Sequence, residues 1–101
     1  MIEPENCQTM AEVRATVDTI DAQIVALLGK RMRCMDAAAR IKPERGLVRD
    51  EARKAAVIAH VREAAAEADF PPDLAAALYE ILVEASIAYE FEVFDRKRGA
   101  V

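Results

Sequence analysis

Between Thr9 and Pro43 the chain contains nothing that would stop a helix. No proline interrupts it, and the one glycine is Gly29. Apolar residues recur at helical spacing, at Val13, Val17, Ile20, Ile24, Leu27, Cys34 and Ala38. Thr9-Met10-Ala11-Glu12 has the form of a capping box, with hydroxyl and carboxylate each placed to satisfy the other's free amide. Such a helix extends about 50 Å, whereas a compact domain of this size has a radius of gyration of about 13 Å. The rest of the 101 residues cannot wrap that rod. A second copy of the chain is therefore expected to cover part of the stripe, in an obligate homodimer. Arg31 is the exception on that stripe, a cation on the a/d face between Ile24 and Ala38.

Two more helices follow from the punctuation. Pro43 removes a backbone donor and ends the first helix at about Arg40 or Lys42. A loop runs to Arg49 with Gly46 as its turn. Asp50 is a good N-cap for a second helix over Glu51 to Ala68, with Ala56, Val57, Ile58 and Val61 on its inner side. Pro71-Pro72 breaks the chain again. The third helix runs from Pro72 or Asp73 to Arg98, with Gly99 as its C′ residue and Leu78, Ile81, Leu82, Ala85 and Tyr89 as its buried stripe. Arg96, Lys97 and Arg98 complement the negative end of its dipole. The expected fold is all-α: three helices per chain, long, short and long, in an intertwined homodimeric bundle. Residues 1–101 form a single domain in which residues 1–8 are a mobile lead-in.

Composition narrows the function. The chain lacks tryptophan and has no run of apolar residues long enough to span a membrane. Its acidic N-terminus, Met1-Ile2-Glu3-Pro4-Glu5, has no apolar signal segment. Cys7 and Cys34 suit neither a disulfide framework nor a zinc site, which points to a reduced, cytoplasmic protein. Residues 30–54 hold nine of the fourteen basic residues against four acids, inside a chain of net charge −4. A basic centre in an acidic shell suits a small anion in a pocket rather than nucleic acid.

No metal-ligand cluster, phosphate loop or nucleophile–base set is present, and His60 is the only histidine. Any reaction must rely on placed charge and shape. Arg31 and Lys42, eleven residues apart, share a helix face, with Cα atoms about 16 Å apart along the axis. Two long side chains can grip a compact ligand across that gap, and Arg53, one turn into the second helix, can fold over the same place. An unpaired guanidinium on an apolar stripe is costly, which favours a ligand role for Arg31. Arg14 is about 25 Å from Arg31 along the same helix, so only an antiparallel partner brings it to the far chain's Arg31. On the third helix Val83, Ser86 and Glu90 share a face.

These residues are where the chain resembles a known family, the all-helical chorismate mutases with their relatives the isochorismate-pyruvate lyases. The similarity spans about residues 7–98. It rests on Glu12-Val13-Arg14-x-x-Val17-Asp18-x-Ile20-Asp21, Leu27-Leu28-Gly29-Lys30-Arg31-Met32, Ile41-Lys42, Val48-Arg49-Asp50-x-x-Arg53 and Glu84-x-Ser86-Ile87. The resemblance implies a pocket for a cyclic dicarboxylate and no cofactor or metal. Arg14 of one subunit, with Arg31 and Arg53 of the other, would hold the two carboxylates through charge-assisted pairs. Lys42 would sit against the ether oxygen, and Ser86 and Asp50 would contact the ring carboxylate and hydroxyl regions. The implied reaction is the pericyclic rearrangement of chorismate to prephenate, with Lys42, Glu90 and Arg31 as its catalytic residues.

Two positions depart from the mutase pattern. Glu90 stands where many mutases have a glutamine that donates to the ether oxygen, so it is expected to act only when protonated, with activity falling as it ionises. Lys54 stands where mutases commonly have a glutamate for the substrate hydroxyl, which leaves room for isochorismate. The Glu5-Asn6-Cys7 lead-in and the length of the Lys42–Asp50 loop resemble the lyases, whereas Val48-Arg49-Asp50 resembles the mutases. The alternative activity is therefore conversion of isochorismate to salicylate and pyruvate. The alternative outside enzymes is a non-catalytic anion-binding or regulatory helical module, in which Arg31→Ala and Lys42→Ala would change partner binding alone.

Overall fold

The structure is a computed structural model and describes residues 2–99, so Met1 and the last two residues of the expected domain lie outside it. The described residues are helical, with no strand among them: α1 (Met10–Ile41), α2 (Glu51–Glu67) and α3 (Pro72–Lys97), with short 3₁₀ turns at Pro4–Asn6 and Arg45–Leu47. They form two compact units, one ending at Cys34 and one beginning at Met35, with α1 contributing to both.

In the first unit the Glu12 amide donates to the Thr9 hydroxyl at 3.1 Å, as a capping box requires. The return contact differs from expectation. The Glu12 carboxylate accepts from the Gln8 amide at 3.1 Å and from the Thr9 hydroxyl at 3.3 Å, one residue further back than the box predicts. The lead-in carries a turn of its own, and the Cys7 thiol lies 3.6 Å from the hydroxyl of Thr16, which is buried. Further along, every residue from Asp21 to Lys30 is exposed, Ile24, Val25, Leu27 and Leu28 included. Cys34, expected on the covered stripe, is exposed too.

The second unit holds the core. Ala39 from α1, Val48 from the connecting loop, and Val83, Ile87, Val93 and Phe94 from α3 cluster together, with Val57, Tyr79, Tyr89 and Phe91 packed against them. Asp50 caps α2 by accepting from the Arg53 amide at 2.9 Å. On α2, Val57, Ile58 and Val61 are half-buried, whereas Ala56 is exposed and Ala65 is the buried residue. The helix ends in a Schellman motif, the Phe70 amide reaching the Ala65 carbonyl at 2.8 Å. Asp69 fills the left-handed position at φ 56° that glycine usually takes. Gly99, at φ 63°, is the residue just past the end of α3, as expected.

The expected buried stripe of α3 is corrected. Its buried residues are Ala75, Ala76, Val83, Ser86, Ile87, Glu90, Val93 and Phe94. Leu78 and Ile81 are 52% and 72% exposed, Ala85 is exposed, and Leu82 and Tyr89 are half-buried. α3 is apolar around most of its circumference, so periodicity could not choose between its faces. The chain's own core takes the 83/87/90/94 face and leaves the larger aliphatic residues outside. Phe94, 6% exposed, is expected to be the costliest core truncation. Phe94→Ala should lose about 3–5 kcal/mol in chemical denaturation.

Candidate functional site

α1 delivers Lys42 to α3. The Lys42 amide makes the last helical bond, to the Ala38 carbonyl at 2.9 Å, and Pro43 prevents another turn. Beyond that point the Lys42 side chain runs to Glu90, its Nζ 2.8 Å from Oε2, and approaches the Val48 carbonyl at 3.5 Å. Glu90 is 4% exposed, and burial without a partner would be prohibitive for a carboxylate. An ammonium has three donors and the pair uses one of them. Lys42 can therefore hold Glu90 and still face a ligand oxygen. One turn earlier Ser86 is buried, and its hydroxyl donates to the Leu82 carbonyl at 2.7 Å.

Three cations fasten the stretch between α1 and α2 onto α3. Lys42 meets Glu90. Arg45 meets Asp95 at 2.8 Å and lies 4.4 Å over the Phe91 ring. Arg49 meets Glu84 through both terminal nitrogens, at 3.1 and 2.7 Å, and also Glu51. Lys54 on α2 is held between Glu84 and Glu80. The Arg49 guanidinium, and after it the Lys54 ammonium, hold the Glu84 carboxyl down to about 2 from its ordinary 4.5. Lys54 is pushed up to about 12, chiefly by Glu80 and then Glu84. A carboxyl so depressed contributes stability above its ordinary titration range and loses it as pH falls toward 2. This cluster thus stays charged at any neutral working pH. The Lys54 ammonium, at the position flagged for hydroxyl recognition, is engaged by two carboxylates.

The other expected site residues are spread over both units. Arg14 is exposed and Arg31 half-buried on α1, in the unit ending at Cys34. Asp50 serves as the α2 cap, and Arg53 is exposed beside it. Within the second unit the structure brings together Lys42 and Glu90. His60 is exposed. Among the described residues no group of three His, Cys, Asp or Glu side chains is placed to hold a metal.

Tyr89 and Arg98 make contacts that sequence reasoning missed. Tyr89 donates to Asp36 at 2.7 Å, and that bond, with burial, raises the phenol above its ordinary value. Arg98, expected to serve the end of its own helix, instead donates to the carbonyls of Ala39, at 2.8 Å, and of Lys42, both at the end of α1. No local pattern could have revealed it, because the two partners are more than fifty positions apart in the chain.

Residues 13–91 match the chorismate mutase type II family. The chain is also 30% identical to the isochorismate pyruvate lyase of Pseudomonas aeruginosa over 97 residues, 96% of each chain. That an all-helical chain with a lysine–carboxylate pair between the end of α1 and α3 matches over most of its length leaves one conclusion: it belongs to the chorismate mutase type II family.

Proposed function

We propose that the protein is a chorismate mutase, catalysing the pericyclic rearrangement of chorismate to prephenate. The observation that carries this reading is the Lys42 ammonium, held 2.8 Å from a buried carboxylate in a chain of this family. In the reaction one carbon–oxygen bond breaks as a carbon–carbon bond forms, with no covalent intermediate. Negative charge gathers on the ether oxygen, and a cation fixed beforehand stabilises it without reorganising. Arg14 from a second copy, with Arg31 and Arg53, would hold the substrate carboxylates in the compact conformer, a contribution of proximity and orientation. Ser86 and Asp50 would contact the ring carboxylate and hydroxyl regions. We infer a homodimer because the apolar residues of Asp21–Lys30 are exposed in the single chain. A cytoplasmic setting is in keeping with the free thiols of Cys7 and Cys34. Aromatic amino-acid biosynthesis is the pathway this activity would serve.

The second reading, conversion of isochorismate to salicylate and pyruvate, is favoured by the relative from Pseudomonas aeruginosa. Lys54 adds to it, since a cation held between Glu80 and Glu84 replaces the carboxylate expected for the chorismate hydroxyl. Supplying the purified protein with each substrate separates the two. Prephenate supports the first reading, salicylate with pyruvate supports the second, and no turnover of either defeats both.

Glu90 offers a sharper test. In the proposed reaction the Glu90 carboxylate holds the Lys42 ammonium in place. Glu90→Gln, which removes that charge and keeps a hydrogen-bonding side chain, is expected to lower kcat. An unchanged kcat would remove Glu90 from the reaction.

A further inference from the structure

We propose that Arg98 is a positioning residue for Lys42, acting through the main chain; the inference rests on Lys42 having the role given above. The last carbonyls of any helix lack partners within it, and at the end of α1 Pro43 rules out continuing the ladder. Lys42 itself lies just past the final helical residue, Ile41, where helices fray. Arg98 closes this end from outside. Its guanidinium donates to the Ala39 carbonyl, inside the last turn, and to the Lys42 carbonyl, beyond it. One rigid planar group thus spans the point at which the helix stops.

The support comes from a single stripe of α3. Glu90, Phe94 and Arg98 are spaced four residues apart and share a face. Glu90 takes the ammonium of Lys42 and Arg98 takes its carbonyl. Between them the buried Phe94 ring lies 3.6 Å beneath the Arg98 guanidinium and fixes its plane. Lys42 is therefore held at both ends of the same residue. Without Arg98 the carbonyl side of Lys42 loses its tether while the amide keeps its bond to Ala38, and fraying there would move the ammonium relative to a bound ether oxygen. Displacements of about 1 Å can cost on the order of a hundredfold in rate. Arg98 lies outside the family-matched residues 13–91.

The experiment compares wild type, Arg98→Ala and Arg98→Lys as whole proteins, well below their unfolding temperatures, on whichever substrate wild type converts. Arg98→Ala is expected to lower kcat on the order of tenfold with KM within about twofold, since ground-state binding is untouched. Arg98→Lys, which can reach one carbonyl but not span two, should recover part of the loss. In a Lys42→Ala background, Arg98→Ala should cause no further fall in kcat. Hydrogen exchange of the Lys42 amide should quicken in Arg98→Ala while exchange across Asp21–Lys30 stays unchanged. A kcat unmoved in the folded variant, or the same proportional loss with and without Lys42, overturns the proposal. If wild type converts neither substrate, the functional reading falls and takes the catalytic part of this proposal with it. The amide exchange then decides separately whether Arg98 secures the helix end.

Discussion

Lys42→Ala should lower kcat about 10²–10³-fold, the range seen when a preorganised donor to a developing oxyanion is removed. The ammonium is the group this structure holds ready, 2.8 Å from Glu90 and within reach of further acceptors. Its removal has a second consequence. Glu90, 4% exposed, is left without its cation, and breaking a buried pair costs up to about 3–5 kcal/mol. The actual cost should be smaller, because the Lys42 side chain is 29% exposed and water can partly replace it. Rate and stability are therefore expected to separate in the double variant Lys42→Ala, Glu90→Gln. Denaturation should show recovery of stability, because the stranded charge is gone, while turnover stays low. A double variant as active as wild type would show that the ammonium takes no part in the chemistry.

The second large effect is expected from Leu27→Asp, which should convert a dimer of twice 11.1 kDa into an 11.1 kDa monomer in sedimentation and abolish turnover with it. Leu27 is 66% exposed in the single chain, within ten consecutive exposed helical residues that include Ile24, Val25 and Leu28. Leu74, Leu78 and Ile81 on α3 are exposed as well. A soluble monomer seldom leaves so many large aliphatic side chains in water. A carboxylate forced into the proposed interface would have to be desolvated. The loss of turnover follows if Arg14 is supplied by the second copy. A monomeric variant that keeps full activity would place Arg14 outside the site, and a wild type sedimenting at 11.1 kDa would remove the dimer.

What could be read from the sequence was what is decided locally. Thr9 and Asp50 announce helix starts, Pro43 and Pro71 announce breaks, and Gly99 marks an end, because each acts on backbone groups within a few residues. The facing of α3 is a tertiary choice. With alanine, leucine, valine and isoleucine on several sides, the helix pattern fits more than one stripe, and the packed unit selects Val83, Ile87 and Phe94 over Leu78 and Ile81. Lys42 and Glu90 stood out singly, one by its helical phase and the other as a departure from the family pattern. Only the family resemblance brought the two to one ether oxygen; no local pattern could, because their meeting requires α3 to return alongside the end of α1. The same return gives Arg45, Arg49 and Lys54 their acidic partners, which on a bare sequence look like ordinary solvated charges.

The lashing of the 42–49 stretch to α3 bears on where the protein can be cut. The match to the family model ends at residue 91, yet Val93 and Phe94 lie in the core and Asp95 and Arg98 hold Arg45 and the end of α1. A chain shortened to the matched segment would keep its cationic signature while shedding the tethers that give those cations their place. The end of the matched segment and the last of these tethers are about two helical turns apart.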